Sequence, residues 1–193
     1  MKEYSIYIWF AIIIVCSFIG FLIENLWIGI RFGYFDNRNM NLPFILGYGF
    51  AILIFYAVLG IPDRVPDIKY FFCTFLMVSV GEILLGKIVE RVCGIYYWDY
   101  TSLPFHFTRY TSLFTSLGFA FIITKFMRLC FPMIAVFFAA HDTVITRIGN
   151  MVGVAALVVD FFFSFYQIRK KGDFNKKWEL RIREEQSRAT KLS

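Results

Sequence analysis

A chain of 193 residues that is 59% hydrophobic, 21% aromatic and only 18% charged is too apolar for a soluble domain, where about a quarter of residues carry charge. With a mean hydropathy of +0.62, the same composition excludes disorder, collagen and coiled coil. The net charge of +6 and the scattered cysteines (Cys16, Cys73, Cys93 and Cys130, with no CxxC pair) point to neither a disulfide framework nor a zinc site.

A membrane crossing needs about 20 largely apolar residues. In chain order the candidates are Ile6–Ile30, interrupted by Glu24 and Asn25; Phe44–Ile61, free of charge and ending at Pro62; Tyr70–Val89, carrying Glu82 and Lys87; Tyr110–Leu129, rich in Ser and Thr; and Ile148–Tyr166, containing Asp160. The first runs past a signal-peptide core and lacks a small-residue exit, so it is expected to stay as an anchor. Phe131–Ala140 is apolar but too short to cross, and reads as an interfacial or re-entrant piece. The expected fold is therefore an all-α polytopic membrane helix bundle of about five transmembrane helices over 1–168, followed by a basic tail over 169–193.

That tail sets Arg169, Lys170, Lys171, Lys176, Lys177, Arg181, Arg183, Arg188 and Lys191 against four acids. Basic residues beside a span are retained in the cytoplasm, which predicts a multi-pass cell-membrane protein with a cytoplasmic C-terminus and an outside N-terminus. Membrane lipid is the expected partner of the tail, and nucleic acid is not. Phe174, Trp178 and Ile182 recur every four residues, as in a helix lying on headgroups.

Charges within spans face a bundle interior or a cavity. Gly20, Glu24, Trp27 and Arg31 share one helix face, and Ser79, Glu82, Gly86 and Glu90 share another. Glu24 and Glu82 stand six and seven residues before the ends of parallel spans, Ile30 and Val89, so they should lie at one depth. The loops that follow also match: Arg31, Gly33, aromatics, Asp36, then Leu42-Pro43-Phe44; and Arg91, Gly94, aromatics, Asp99, then Leu103-Pro104-Phe105. This pattern suggests a tandem repeat of helix pairs, an internal symmetry that transporters use. Glu24, Glu82 and Asp99 are expected to converge on one polar cavity.

No phosphate-binding GxxxxGK[ST] loop occurs, His106 and His141 lack ligand-spaced partners, and no cofactor is expected. Gly149 and Gly153 form a GxxxG suited to a close helix contact, within the chain or in a homo-oligomer.

The segments Ser17–Asn39, Gly47–Phe50 and Gly81–Phe107 resemble the type IV ABC-transporter permease (CmpB-like) family, and are similar to animal transmembrane-229 proteins. The family's intramembrane Glu, Asn-Arg, Tyr-Gly, second Glu and Trp-Asp-Tyr fall here on Glu24, Asn37 and Arg38, Tyr48 and Gly49, Glu82 or Glu90, and Trp98, Asp99 and Tyr100. This chain departs from the family at Asn41-Leu42-Pro43, and at His106 and Thr108-Arg109. The resemblance implies transport with a separate ATPase subunit. It points to Glu24, Arg38, Tyr48, Glu82, Glu90, Trp98, Asp99 and Tyr100 as the substrate-binding residues. Two other functions stay open at this point: an intramembrane enzyme acting on a lipid or isoprenoid through its carboxylates, and a regulatory or scaffolding protein working through its tail.

Overall fold

The computed structural model describes residues 4–62 and 67–181. The helices are α1 (Ile6–Phe32), α2 (Leu46–Leu59), α3 (Asp67–Cys93), α4 (Leu113–Lys125), α5 (Phe131–Ala140) and α6 (Val144–Lys171), with four short strands, β1 (Tyr34–Asp36), β2 (His106–Thr108), β3 (Thr111–Ser112) and β4 (Glu179–Arg181). The protein is an all-α membrane bundle. Among the described residues four helical stretches are long and apolar enough to cross a bilayer: Ile6–Phe32, Ile68–Cys93, Leu113–Ala140 and Val144–Lys171.

Local chemistry sets the helix ends. Thr143 opens α6 and Ser112 opens α4, each in a capping box with the threonine three residues on. Gly33, Gly60 and Gly172 close α1, α2 and α6 at positive φ (76°, 71° and 67°), where a side chain would be strained. Arg169, Lys170 and Lys171 complement the dipole in the last turn of α6.

Two expectations about the spans change. Phe131–Ala140 is neither interfacial nor re-entrant: α4 and α5 run on as one helix through a π-helical turn at Phe126–Cys130. In that turn the Phe131 N–H bonds back to the Phe126 carbonyl. A proline inside a helix removes one hydrogen bond and crowds the preceding turn, and the wider turn just before Pro132 accommodates it. The second expected span is a 14-residue helix, about 21 Å long at 1.5 Å per residue. It reverses the chain but is shorter than the roughly 30 Å hydrocarbon layer.

α1 lies against α2 and α6, and α3 packs on α4 and α6. The α1–α2 crossing is close because Gly49 meets the Ile13 carbonyl and the Ser17 hydroxyl, where a Cβ would stand 2.6 and 2.7 Å from them. At one end of the bundle Ile8, Ile12, Cys16, Tyr56, Tyr70 and Phe131 form the main core, with the Tyr56 and Phe131 rings stacked at 5.2 Å. Many Leu, Ile, Val and Phe side chains on the spans are exposed, as lipid-facing residues must be.

The opposite end gathers the two long loops and the tail, because α1, α3 and α6 all finish there. β1 pairs antiparallel with β4, matching Tyr34 to Arg181, Phe35 to Leu180 and Asp36 to Glu179. β2 and β3 form a short hairpin in the second loop. The tail is thus bound to the first loop, and the helix expected through Phe174 and Trp178 does not form: the segment after Gly172 is irregular until β4. Ile182 lies outside the described residues. The Asn175 side chain is buried and donates to the Asn39 carbonyl, while the Asn37 amide donates to the Asn175 carbonyl and the Lys177 N–H to the Asn37 side chain. These hydrogen bonds offer the tail more than a helical period would.

Candidate functional site

Glu24 sits in the C-terminal half of α1, one turn above Gly20. Because Gly20 has no side chain, the Tyr48 ring of α2 settles against it and donates its hydroxyl to Glu24. The other carboxylate oxygen faces the Arg38 guanidinium at 3.4 Å. Arg38 is brought there by a bent loop. Arg38 and Asn39 adopt left-handed backbone (φ 47° and 64°), and Asp36 accepts the Arg38 N–H at 2.8 Å. The Asp36 N–H in turn bonds the buried Asn25 side chain at 2.9 Å. Burial opposes the charge on Arg38, but Glu24, Tyr97 and Asp36 outweigh it and hold the guanidinium pKa above its ordinary value.

Glu82 of α3 stands on the other side. It accepts from the Thr111 hydroxyl at 2.7 Å and the Ser116 hydroxyl at 3.2 Å. Tyr100, in the loop after α3, turns its hydroxyl to Glu82 and also feels Glu24; burial first, then those two carboxylates, push its pKa up. Tyr97 of the same loop donates to the Arg38 carbonyl at 3.0 Å, and burial raises its pKa to about 12. The second loop therefore clamps the first.

A cavity of about 270 Å³ lies between α1 and α4 under this loop, with walls that include Glu24, Trp27, Tyr100, Thr115, Gly118 and Phe119. Its rim opens sideways rather than along the bundle axis: Trp27, Phe114 and Ile122 are 46%, 54% and 42% exposed, whereas Glu24 and Tyr100 are only partly so.

Of the expected site residues, Glu24, Arg38, Tyr48, Glu82 and Tyr100 are linked in one cluster. The other three are not. Glu90 accepts from Tyr110, whose ring fills the space left by Gly86. Trp98 donates to the Tyr110 carbonyl at 2.9 Å. Asp99 is exposed and pairs with Arg109 at 3.3 Å, so it does not converge with Glu24 and Glu82 as expected. The Thr101 N–H and hydroxyl, helped by Arg109, lower the Asp99 pKa. Asp160, buried in α6, is an anchor: it accepts the Asn41 amide at 2.6 Å and the Asn41 and Leu42 N–H groups at 3.2 and 3.1 Å. Tyr97, Thr111 and Ser116 were not foreseen, although the Ser and Thr content of the fourth span hinted at hydroxyl partners for a buried acid. Among the described residues no group of three or more His, Cys, Asp or Glu could hold a metal ion.

Comparison with known proteins matches residues 9–165 to the family described as "Putative ABC-transporter type IV". The match extends well beyond the segments that carry the sequence resemblance. No curated protein and no solved structure matches significantly, so the likeness to animal transmembrane-229 proteins gains no support. The chain belongs to this ABC-transporter family.

Proposed function

We propose that this member of the type IV ABC-transporter family is the membrane-embedded subunit of a transport complex, with Glu24, Arg38, Tyr48, Glu82 and Tyr100 as its substrate-binding residues. The observation that carries the reading is the cavity: Glu24 and Tyr100 stand among the walls of a largely apolar space between two helices. Charged groups within a membrane bundle concentrate where a substrate passes, and pockets of this kind use a few convergent polar groups to orient a ligand.

Glu90, Trp98 and Asp99 then brace the site rather than bind substrate. Glu90 and Trp98 hold Tyr110, and Asp99 with Arg109 shapes the loop that delivers Tyr97 and Tyr100. The chain has no phosphate-binding loop of its own, so nucleotide hydrolysis falls to a separate ATPase subunit. The basic tail favours the cytoplasmic side of the cell membrane for the loop end of the bundle, where its charges would meet anionic lipid. The cavity accordingly opens toward the cytoplasmic leaflet.

Native mass spectrometry of the detergent-released protein tests the site. A co-purified small-molecule adduct is expected on the wild-type chain, lost from Glu24→Gln and Tyr100→Phe, and kept in Arg181→Gln, whose side chain is not among the cavity's walls. An adduct that survives both site substitutions would refute the assignment.

A further inference from the structure

Resting on that binding site, we infer that its ligand is an amphiphile with an ammonium head and an alkyl chain, entering sideways from the membrane between α1 and α4.

The shape of the cavity comes first. Its opening is framed by Trp27, Phe114 and Ile122, on the outer surface of helices whose neighbouring exposed residues are apolar. A solute arriving from water would cross the loops, which are tied together by the Tyr97–Arg38 contact and by the Arg31–Ser102 hydrogen bond at 3.1 Å. A chain dissolved in the bilayer meets no such barrier. Gly118 lines the space, and a Cβ placed there would touch nothing within 4 Å. That open volume sits where an alkyl chain would lie.

Charge and hydrogen bonding define the other end. The linked cluster holds three carboxylates, Glu24, Glu82 and Asp36, against one cation, Arg38. Its hydroxyls are already spent as donors: Tyr48 on Glu24, and Thr111 and Ser116 on Glu82. Arg109, the cation of the second loop, is committed to Asp99 and lies over the Tyr96 ring. Among the residues of the cavity's walls Glu24 is the one carboxylate and none is a lysine or arginine, while Arg31, over the Trp27 ring at the rim, is tied to Ser102; the walls therefore offer a charged acceptor and no cation to pair with an anionic head. A carboxylate or sulfate head would meet like charge out of water, whereas an ammonium donates to the free lone pairs of Glu24 and offsets the excess.

The test uses the full chain in phosphatidylcholine nanodiscs and ω-bromododecylammonium, whose bromine quenches tryptophan fluorescence. Trp27 on the rim should give a saturable quenching component above the linear background of bilayer partitioning. That component should vanish in Trp27→Phe and in Gly118→Leu, which fills the cavity at a position with room for the side chain. Glu24→Gln should weaken it about tenfold, the loss of roughly 1.4 kcal/mol. Bromododecyl sulfate and bromododecanol should give background only. Should Glu24→Gln fail to fold, the comparison of heads on the wild-type protein still decides. An anionic or alcohol probe saturating as tightly as the ammonium would overturn the inference, as would ammonium quenching indifferent to Gly118→Leu. If the native adduct is lost in Glu24→Gln while the ammonium probe shows background only, the site stands and the ligand class falls. If neither responds, both fall.

Discussion

Replacing Gly20 by alanine should open the α1–α2 contact and detach Tyr48 from Glu24. A Cβ at residue 20 would lie 2.3 Å from Tyr48 Cγ and 2.6 Å from its Cβ. The second distance decides the outcome, because no rotamer change moves a Cβ, and the helices themselves must part. Overpacking of this kind costs about 1–3 kcal/mol. Gly118→Ala is the matched control: nothing lies within 4 Å of its Cβ, and trading a mid-helix glycine for alanine should stabilise by up to about 1 kcal/mol. Two identical substitutions in membrane helices are thus expected to act with opposite sign. Unfolding in mixed detergent micelles measures both. The double variant Gly20→Ala with Tyr48→Ala should recover part of the loss, since removing the ring frees the space, giving a coupling energy of about the size of the clash. A Gly20→Ala protein as stable as wild type, with its native adduct intact, would refute the packing argument.

Truncation before Lys176 removes β4 and the Lys177 bond to Asn37, so hydrogen exchange at residues 34–39 should rise although the protein still inserts; unchanged protection there would mean that the tail pairing is not formed in solution. Asp160→Ala strips the acceptor from three donors on Asn41 and Leu42 and should cost about 2–5 kcal/mol on the scale of buried, charge-assisted hydrogen bonds; a melting temperature within error of wild type would remove Asp160 from the role of anchor. Asp99 should titrate below its ordinary 3.8. A carboxylate whose pKa is lowered on folding adds stability above its unfolded pKa and loses that contribution as pH falls through the folded value. Arg109→Gln should move the Asp99 midpoint upward in a carbon-detected NMR titration, and an unmoved midpoint would show that Arg109 plays no part.

The long spans were legible because lipid contact demands largely apolar residues over a full crossing, and α1, α3 and α6 satisfy that despite the acids they carry. Phe131–Ala140 misled because its ten residues were measured alone, although they continue the helix before them through Pro132. A proline normally ends a helix, yet one π turn let α4 and α5 continue through it. The depth argument for Glu24 and Glu82 read only helix direction and distance from the span ends, and Tyr100 does stand between those two carboxylates. What periodicity could not supply was the long-range partners. Thr111 and Ser116 reach Glu82 across 29 and 34 residues, and nothing in their local sequence names that acid. Asp99 was placed in the cavity from its position in the loop alone, whereas Arg109 on the hairpin turns it outward. The four-residue spacing of Phe174 and Trp178 fitted a helix, but Asn175 between them found better partners on the first loop.

The repeat suggested by the loops takes a more specific form in three dimensions. In each half a glycine stands four residues before an acid, Gly20 before Glu24 and Gly86 before Glu90, so notch and carboxylate share a helix face. A tyrosine from the segment after Leu-Pro-Phe fills each notch and donates to each acid, Tyr48 in the first half and Tyr110 in the second. The counterpart of Glu24 is therefore Glu90, not Glu82. Only the first clasp receives an arginine from its own loop; in the second, Arg109 is diverted to Asp99. Glu90 is left closed against Tyr110 and does not line the cavity, while Glu24 keeps a face toward it. Glu82 has no acidic counterpart in the first half: it stands eight residues before Glu90, and the residue eight before Glu24 is the buried Cys16. Two similar helix pairs thus leave one carboxylate in the walls of a cavity, Glu24, because its counterpart Glu90 is closed against Tyr110.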